Sequence, residues 1–210
     1  MPTALRSLLA ALVATAAVVG GGVVMSGPEE EPPAVDPPAP SITLADLDTT
    51  ALAARRAAFC DALAPEQVTE ALGGEATGST SYENGDRAPV APDVTDVAHE
   101  FGCTWTGADG TEARAWVFAP PVTAGQARRL ARAAVRTAGC AKVAGAPALG
   151  TPSVGVACTV PAGQALGYRG LLGDAWLACS LTGAGTDLAA RTDRWCAAVV
   201  TATTSTSTPG

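Results

Sequence analysis

Residues 97–119 read VAHEFGCTWTGADGTEARAWVFA, and this stretch decides the fold class of the 210-residue chain. Every second residue from Val97 to Trp105 falls on one mainly apolar face, which is the period of a half-buried β-strand. Asp109-Gly110 then supplies the residues that a tight hairpin turn needs. The stretch therefore predicts an antiparallel hairpin whose second strand covers residues 111–119.

Periodic patterns on both sides of this hairpin predict three more strands and four helices. Residues 154–160 alternate as a strand, and Gly173-Asp174 joins strands over residues 165–171 and 175–181. Helix start and stop residues, such as the capping box of Thr123 and Gln126, mark the helix ends. The predicted helices cover residues 49–63, 65–73, 123–139 and the segment that follows residue 187.

The order of elements is helices, hairpin, helix, strand, hairpin, helix. This order predicts an α+β fold: an antiparallel sheet of about five strands with helices on one face, built from two ββα-like units and stapled by disulfides. Residues 75–96 lack periodicity and contain Asn84-Gly85, Pro89 and Pro92, so we expect a long loop there. Loops of that length are usually functional or disordered.

The first forty residues predict export. Residues 8–25 are apolar apart from Thr15, and Arg6 is the only charge before Glu29, so residues 1–25 fit a signal anchor or a cleaved signal peptide. Residues 26–41 are rich in proline and glutamate, which predicts an extended linker. The expected organisation is then an extracytoplasmic α+β domain over residues 42–203 and a disordered tail over residues 204–210. The chain is expected in the cell membrane with a single N-terminal pass, or secreted after cleavage.

The net charge of −7 indicates which partners to expect. An acidic chain is a poor match for a phosphate backbone, so no nucleic-acid partner is expected. The total charge equally gives no reason to expect attraction to anionic lipid headgroups.

Six cysteines lie beyond residue 59, and none forms a C-x-x-C pair, a pattern typical of disulfides in an exported domain. Sequence cannot choose among the roughly fifteen possible pairings. Proximity of a helix to the hairpin before it, or to the strand after it, favours three pairs. They are Cys60–Cys103, Cys140–Cys158 and Cys179–Cys196, and the main rival joins Cys60 to Cys196.

The segment CDALAPEQVTEALGG at residues 60–74, followed by CTWT at residues 103–106, resembles a family of small actinobacterial envelope lipoproteins of unknown function. The order of elements is also similar to the extracytoplasmic sensor-like domains of bacterial receptor kinases. The lipid-carrying cysteine of those lipoproteins is missing here, so the chain departs from them in its mode of membrane attachment. The resemblance implies a binding or assembly role in the envelope and supplies no catalytic residues.

Aromatic and arginine side chains provide the candidate binding site. If the cysteine face of the sheet packs under the helices, these side chains lie on the other face, where they suit a glycan, a lipid headgroup or a protein. The alternative is that the rings fill the core. The candidate ligand-binding residues are Arg114, Trp116, Tyr168, Arg169 and Trp176.

Catalytic and metal sites have weaker support. His99 is the only histidine in the sequence, and its place in the strand pattern favours a structural role in the core or at a sheet edge. Asp86, Asp93 and Asp96 match no calcium-loop spacing, so no metal or cofactor is expected. The sequence therefore favours a non-catalytic binding or sensor-like module. The alternatives are an envelope scaffold or protein-interaction domain and, with less support, an extracytoplasmic hydrolase that uses these carboxylates around His99.

Overall fold

Seven antiparallel strands form one sheet in the order β1-β4-β5-β9-β8-β7-β6, and β2 and β3 form a separate two-stranded sheet. The structure is a computed structural model that describes residues 42–91 and 93–204. The predicted membrane segment (1–25), the linker (26–41) and nearly all of the predicted tail lie outside the described residues. The strands are β1 (Ala76–Tyr82), β2 (Arg87–Ala91), β3 (Val94–Val97), β4 (Glu100–Gly107), β5 (Glu112–Phe118), β6 (Cys140–Lys142), β7 (Ser153–Val160), β8 (Gly163–Leu172) and β9 (Ala175–Gly183).

Three α-helices accompany the sheet: α1 (Pro65–Leu72), α2 (Ala124–Arg136) and α3 (Leu188–Thr204). The predicted α+β class and the antiparallel sheet are confirmed, but the sheet has seven strands rather than about five. The edge strands β1 and β6 were not predicted. β1 carries threonine, serine and glycine with almost no burial, and β6 has three residues, so neither produces an alternating apolar pattern.

The segment predicted as a long loop is β1 followed by the β2–β3 hairpin. Gly85 takes a positive φ of 99° at the turn after β1, and its N–H donates to the Ala98 carbonyl at 2.8 Å. The Asn84-Gly85 dipeptide, which is a turn signal in the sequence, therefore does form a turn. The prediction of a loop failed because the side chains of β1 and β3 are almost all exposed. Such strands do not need the alternation of apolar and polar residues that marks a half-buried strand.

The prediction that all helices lie on one face of the sheet is wrong. α1 and α3 cover the face that carries Cys103, Cys179 and Leu181. α2 packs on the opposite face, where it covers Leu171 and Trp176. Successive side chains of a strand point to opposite faces, and β8 and β9 place apolar residues on both. Such strands need cover on both sides, and α2 supplies it on the second side.

The position of α2 is set by contacts at its first residues. The Thr123 N–H donates to Gln126 Oε1 at 2.8 Å and the Gln126 N–H donates to Thr123 Oγ1 at 3.3 Å, which is the predicted capping box. Just before the cap, the Val122 N–H donates to the Asp174 carbonyl in the β8–β9 turn at 2.8 Å. This bond directs the chain across the sheet face opposite α3.

The predicted helix over residues 49–63 is not formed. The segment contains two short 3₁₀ turns, Thr49–Ala51 and Cys60–Ala62, with extended chain between them. Its backbone donors bond to distant elements: the Ala54 N–H donates to Leu172 and the Arg55 N–H to Thr203. The apolar residues of the segment therefore reach the core from an extended strap rather than from one side of a helix.

Three disulfides connect the helices and strands. Cys60 bonds Cys103, Cys140 bonds Cys158 and Cys179 bonds Cys196, with Cα–Cα distances of 5.9, 3.9 and 5.5 Å. These are the pairs that chain proximity favoured. Within the part of the chain that the structure covers, none of the helices is long and apolar enough to cross a bilayer.

Candidate ligand-binding face

Part of the sheet face that carries α2 is left uncovered by any helix, and we call this part the open face. It consists of the outward residues of β1, β4 and β5 and of the adjoining halves of β9 and β8. Strand pairing puts Trp116 beside Ala178 and Ala178 beside Arg169, so all three share this face. Arg114 lies two residues from Trp116, on the same face, and pairs with Ser180. Three of the five predicted site residues therefore lie together.

Trp116 forms the aromatic part of the open face. Its ring lies 5.1 Å from the ring of Phe118, at an interplanar angle of 30°. Both rings are partly buried and pack against the small apolar cluster under α2, which includes Leu171 and Trp176. One edge of Trp116 is thus anchored by packing, while the remaining surface is available to a ligand.

Tyr82 and Glu100 form a hydrogen-bonded pair beside Arg114. The Tyr82 hydroxyl donates to Glu100 Oε1 at 2.5 Å. Burial, and then the bond to Glu100, raises the pKa of Tyr82 to about 12. Burial also raises the pKa of the Glu100 carboxyl, against the opposing effects of the Tyr82 bond and the Arg114 charge. The pair is therefore a polar group held in a partly dry environment.

Gly102 makes room for the Tyr82 ring. A Cβ built at Gly102 would lie 2.3 Å from Tyr82 Cζ, so the ring rests directly on the glycine backbone. Gly102 pairs with Tyr82 on one side and with Trp116 on the other. The absence of a side chain at Gly102 lets the Tyr82 ring lie across this strand toward Trp116.

The Arg114 side chain lies next to the Tyr82–Glu100 pair. A hydrogen bond from Arg114 and its positive charge both lower the pKa of Tyr82, and the same charge lowers the pKa of Glu100. Its backbone is fixed from the other face, because Trp195 Nε1 donates to the Arg114 carbonyl at 3.2 Å. The buried Nε of Arg114 has no hydrogen-bond acceptor among the described residues.

Arg169 is the unusual group of the open face. Burial lowers the pKa of its guanidinium, and the neighbouring Arg114 charge lowers it further. Within the described residues no carboxylate or carbonyl accepts from its side chain. The side chain is half-buried and none of its nitrogens is both buried and unpaired, so water still reaches the guanidinium. A partly buried cation held beside a second cation nevertheless gains from an anionic partner. Arg114 and Arg169 together provide donors for an anionic or strongly polar ligand.

Tyr168 and Trp176 do not belong to the open face. Tyr168 points to the opposite face and is 4% exposed in the main core, because its position in β8 alternates with that of Arg169. Trp176 lies on the same face as Trp116 but under α2, and it is 1% exposed. The prediction assumed a bare second face, whereas α2 covers one end of it.

His99 and the loop aspartates lie elsewhere. His99 is exposed just before β4, so the predicted place in the core is wrong, and its carbonyl accepts from the Ala119 N–H at 2.9 Å. Asp86 accepts from the Glu83 N–H and Asp96 from the Val97 N–H, both at 2.8 Å. Across residues 42–91 and 93–204, no three His, Cys, Asp or Glu side chains gather in a way that would hold a metal.

A second concave surface follows the edge strand β1 on the side of the sheet that carries α1. It is a groove of about 420 Å³ between Val68 and Thr69 of α1 and Ser79 and Ser81 of β1, with Trp105 among its lining residues. A smaller groove of about 380 Å³ continues past Tyr82 toward Arg55. Neither groove was predicted from the sequence, because β1 itself was not predicted.

No model of a known protein family matches this chain, and a search of curated proteins returns no match. The resemblance to envelope lipoproteins therefore stays a prediction.

Proposed function

We propose that this chain is a non-catalytic binding or sensor-like module of the bacterial cell envelope, which holds its ligand on the open face. The domain lies outside the cytoplasm in this proposal, held at the membrane by residues 1–25. Three disulfides support an oxidising compartment, because such bonds persist outside the cytosol and are rare inside it.

The observation that carries the proposal is the Arg169 guanidinium beside Arg114, which has no ion-pair partner among the described residues. Two neighbouring arginines repel each other, and burial makes the repulsion stronger. A fold that keeps both on one sheet face gives up stability there. Such local costs are typical of binding sites, where the ligand supplies the missing partner.

The surroundings of the two arginines indicate the kind of ligand. Trp116 offers a flat aromatic surface, and rings of this kind stack on sugars and other planar or apolar groups. The arginines offer charged donors that suit a carboxylate or phosphate oxygen. The best match is an envelope glycan or cell-wall fragment that carries an acidic group close to a ring.

Intrinsic fluorescence tests this proposal directly. We expect acidic cell-wall fragments to change the tryptophan emission of the wild-type protein and to lose this effect in Trp116→Phe. Trp176→Phe is the matched control, since Trp176 is buried under α2 and cannot touch a ligand on the open face. Retention of the full response in Trp116→Phe, or no response to any fragment in the wild type, contradicts the proposal.

The second candidate is a protein-interaction domain, and the exposed edge strand β1 favours it. Six of the seven β1 residues are exposed, and its outer edge has no strand paired to it within the described chain. Free edges of this kind accept an extended segment as an additional strand. Ser79→Pro would remove a backbone donor and weaken this binding, whereas the open-face ligand would still bind. Crosslinking of the wild-type and Ser79→Pro proteins in intact envelopes distinguishes the two candidate functions.

A further inference from the structure

The outer surface of α2 is strongly basic, although the protein as a whole carries a net charge of −7. The helix contains four arginines and no acidic residue, and all four arginines are exposed. We call these four residues, Arg128, Arg129, Arg132 and Arg136, the arginine ridge.

Helix geometry puts the ridge on the side that faces away from the sheet. At about 100° per residue, the four arginines fall within an arc of roughly 100°. The opposite side carries Ala127, Leu130, Ala131 and Ala134, which pack on the sheet. α2 is therefore an amphipathic surface helix whose apolar side is buried on the sheet and whose basic side faces outward.

An apolar groove of about 440 Å³ borders the ridge on the side of β6 and β7. Ala131, Val135 and Val154 give the groove an apolar surface. Arg132 and Arg136 of the ridge line it together with Lys142 of β6. Within the residues that the structure covers, none of these three cations forms an ion pair.

A second apolar cleft borders the ridge on its other side. It has a volume of about 280 Å³ and is lined by Phe118, Pro121, Val122 and Leu130, with Arg129 of the ridge at its border. The ridge thus runs between two recesses with apolar walls. The arrangement combines separated positive charges with places for hydrocarbon groups.

We infer that the arginine ridge, together with Lys142, is a docking surface for an anionic lipid bilayer. The phosphates of the headgroups would accept hydrogen bonds from the guanidinium groups and the ammonium. The two clefts would take the apolar parts of the outermost lipids. The aliphatic stems of the arginines would also lie along these apolar groups. The lipid surface and the open face meet only at Phe118, which lines the second cleft and lies beside Trp116. Arg114, Trp116 and Arg169 line neither recess, so the inference does not depend on the open-face ligand.

The net negative charge does not oppose this docking strongly. At physiological ionic strength charges are screened beyond about 8 Å, so a lipid surface responds mainly to the residues that contact it. Clusters of four to eight basic residues on an amphipathic helix are typical of binding to anionic lipid. A soluble polyanion would use the same charges but would gain nothing from the two apolar clefts, and for this reason we choose the bilayer.

Reactivity of Lys142 tests the inference. Lys142 is the only lysine of the chain and is exposed. Its acetylation by an uncharged, amine-reactive reagent can therefore be followed by peptide mass spectrometry. The whole chain is reconstituted into phosphatidylcholine vesicles with or without phosphatidylglycerol, since residues 1–25 are themselves predicted to enter the membrane. We expect phosphatidylglycerol to slow acetylation of Lys142 severalfold.

Two double variants with equal net charge locate the effect. Arg132→Gln with Arg136→Gln should weaken docking by about fivefold for each arginine, roughly thirtyfold in all, and restore the reaction rate. Arg87→Gln with Arg194→Gln should leave the protection intact, because these arginines lie on β2 and on α3, away from the ridge. Circular dichroism of each variant confirms that the fold is retained.

Three outcomes would overturn the inference. Equal acetylation rates in the two kinds of vesicle would show that the ridge does not dock on anionic lipid. Equal loss of protection in both double variants would show a diffuse charge effect without a defined surface. Protection by soluble polyphosphate, with none by phosphatidylglycerol vesicles, would identify a binder of soluble polyanions instead.

Discussion

Trp116 and Arg169 lie two strands apart on the same sheet face, with Ala178 of β9 directly between them. Neighbouring strands are about 4.8 Å apart, so the two residues are separated by roughly 10 Å at the backbone. Ala178 is itself only 3% exposed, so a ligand would contact the outer surfaces of the Trp116 and Arg169 side chains rather than the strand between them. This spacing fits a ligand that stacks on the ring and presents an anionic group to the arginine.

Arg169→Met should stabilise the fold while weakening ligand binding. Methionine fills similar space between Val154 and Ala178 without a desolvated charge or repulsion from Arg114. We expect the free energy of unfolding in urea to rise by about 1 kcal/mol. Calorimetry with acidic cell-wall fragments should show lower affinity. A loss of stability together with unchanged binding would mean that Arg169 has a structural role.

The two tryptophans of the α2 face should differ in their contribution to stability. Trp176→Ala should cost about 3–5 kcal/mol, because it empties a fully enclosed site under α2. Trp116 is partly exposed, so Trp116→Ala should cost clearly less. Urea denaturation of both variants measures the difference. Equal costs would contradict the assignment of Trp116 to the open face.

Glu100→Gln should change the pH dependence of stability. The folded state raises the pKa of Glu100, so between its unfolded and folded pKa values the native protein binds more protons than the unfolded chain. Stability from this group is therefore present at low pH and lost as pH rises through the folded pKa. The variant keeps an acceptor for Tyr82 and should lose this decline, which a series of melts from acid to neutral pH detects.

Tyr82 should produce a second decline at alkaline pH. Its pKa is raised to about 12 from the ordinary value of 10.0, so the neutral hydroxyl is favoured in the folded state. Stability should fall as pH rises from about 10 through the folded pKa, and Tyr82→Phe should not show that fall. Ultraviolet titration of the phenolate checks the pKa itself. A transition near 10 in the folded protein would contradict the buried Tyr82–Glu100 pair.

Gly102→Ala should disrupt the open face from beneath. The added methyl would lie 2.3 Å from Tyr82 Cζ, so the ring must move and its bond to Glu100 must lengthen or break. We expect a loss of about 1–3 kcal/mol in the free energy of unfolding. Gly78→Ala on β1 is the matched control, because a Cβ there meets no atom within 4 Å. Similar losses in both variants would indicate a general effect on strands.

Much of the fold was predictable because its signals are local. The hairpin at Asp109-Gly110 and the capping box at Thr123 involve residues a few positions apart, and each was confirmed. The preferred cysteine pairs also join neighbouring elements, as when α3 returns over the hairpin that precedes it. Residues 49–63 show the opposite case, since their apolar spacing suits a helix while distant carbonyls take up their N–H groups.

The candidate site was predictable only in part. The alternation of Arg114 and Trp116 with buried neighbours placed both on one face, and the structure agrees. Tyr82 and Glu100 were not predicted, because β1 was not recognised and the pairing of β1 with β4 joins residues about twenty positions apart. No local pattern reports such a contact.

Taken alone, the amino-acid sequence determined the α+β class, the antiparallel hairpins and the helix ends, because backbone preference and side-chain periodicity act over a few residues. The tertiary structure alone decided which face of the sheet each helix covers. Strands such as β8 and β9 are apolar on both sides, so their sequence pattern does not show which face a given helix covers. Only the path of the chain from β5 through Val122 across the sheet buried Trp176 and left Trp116 partly exposed.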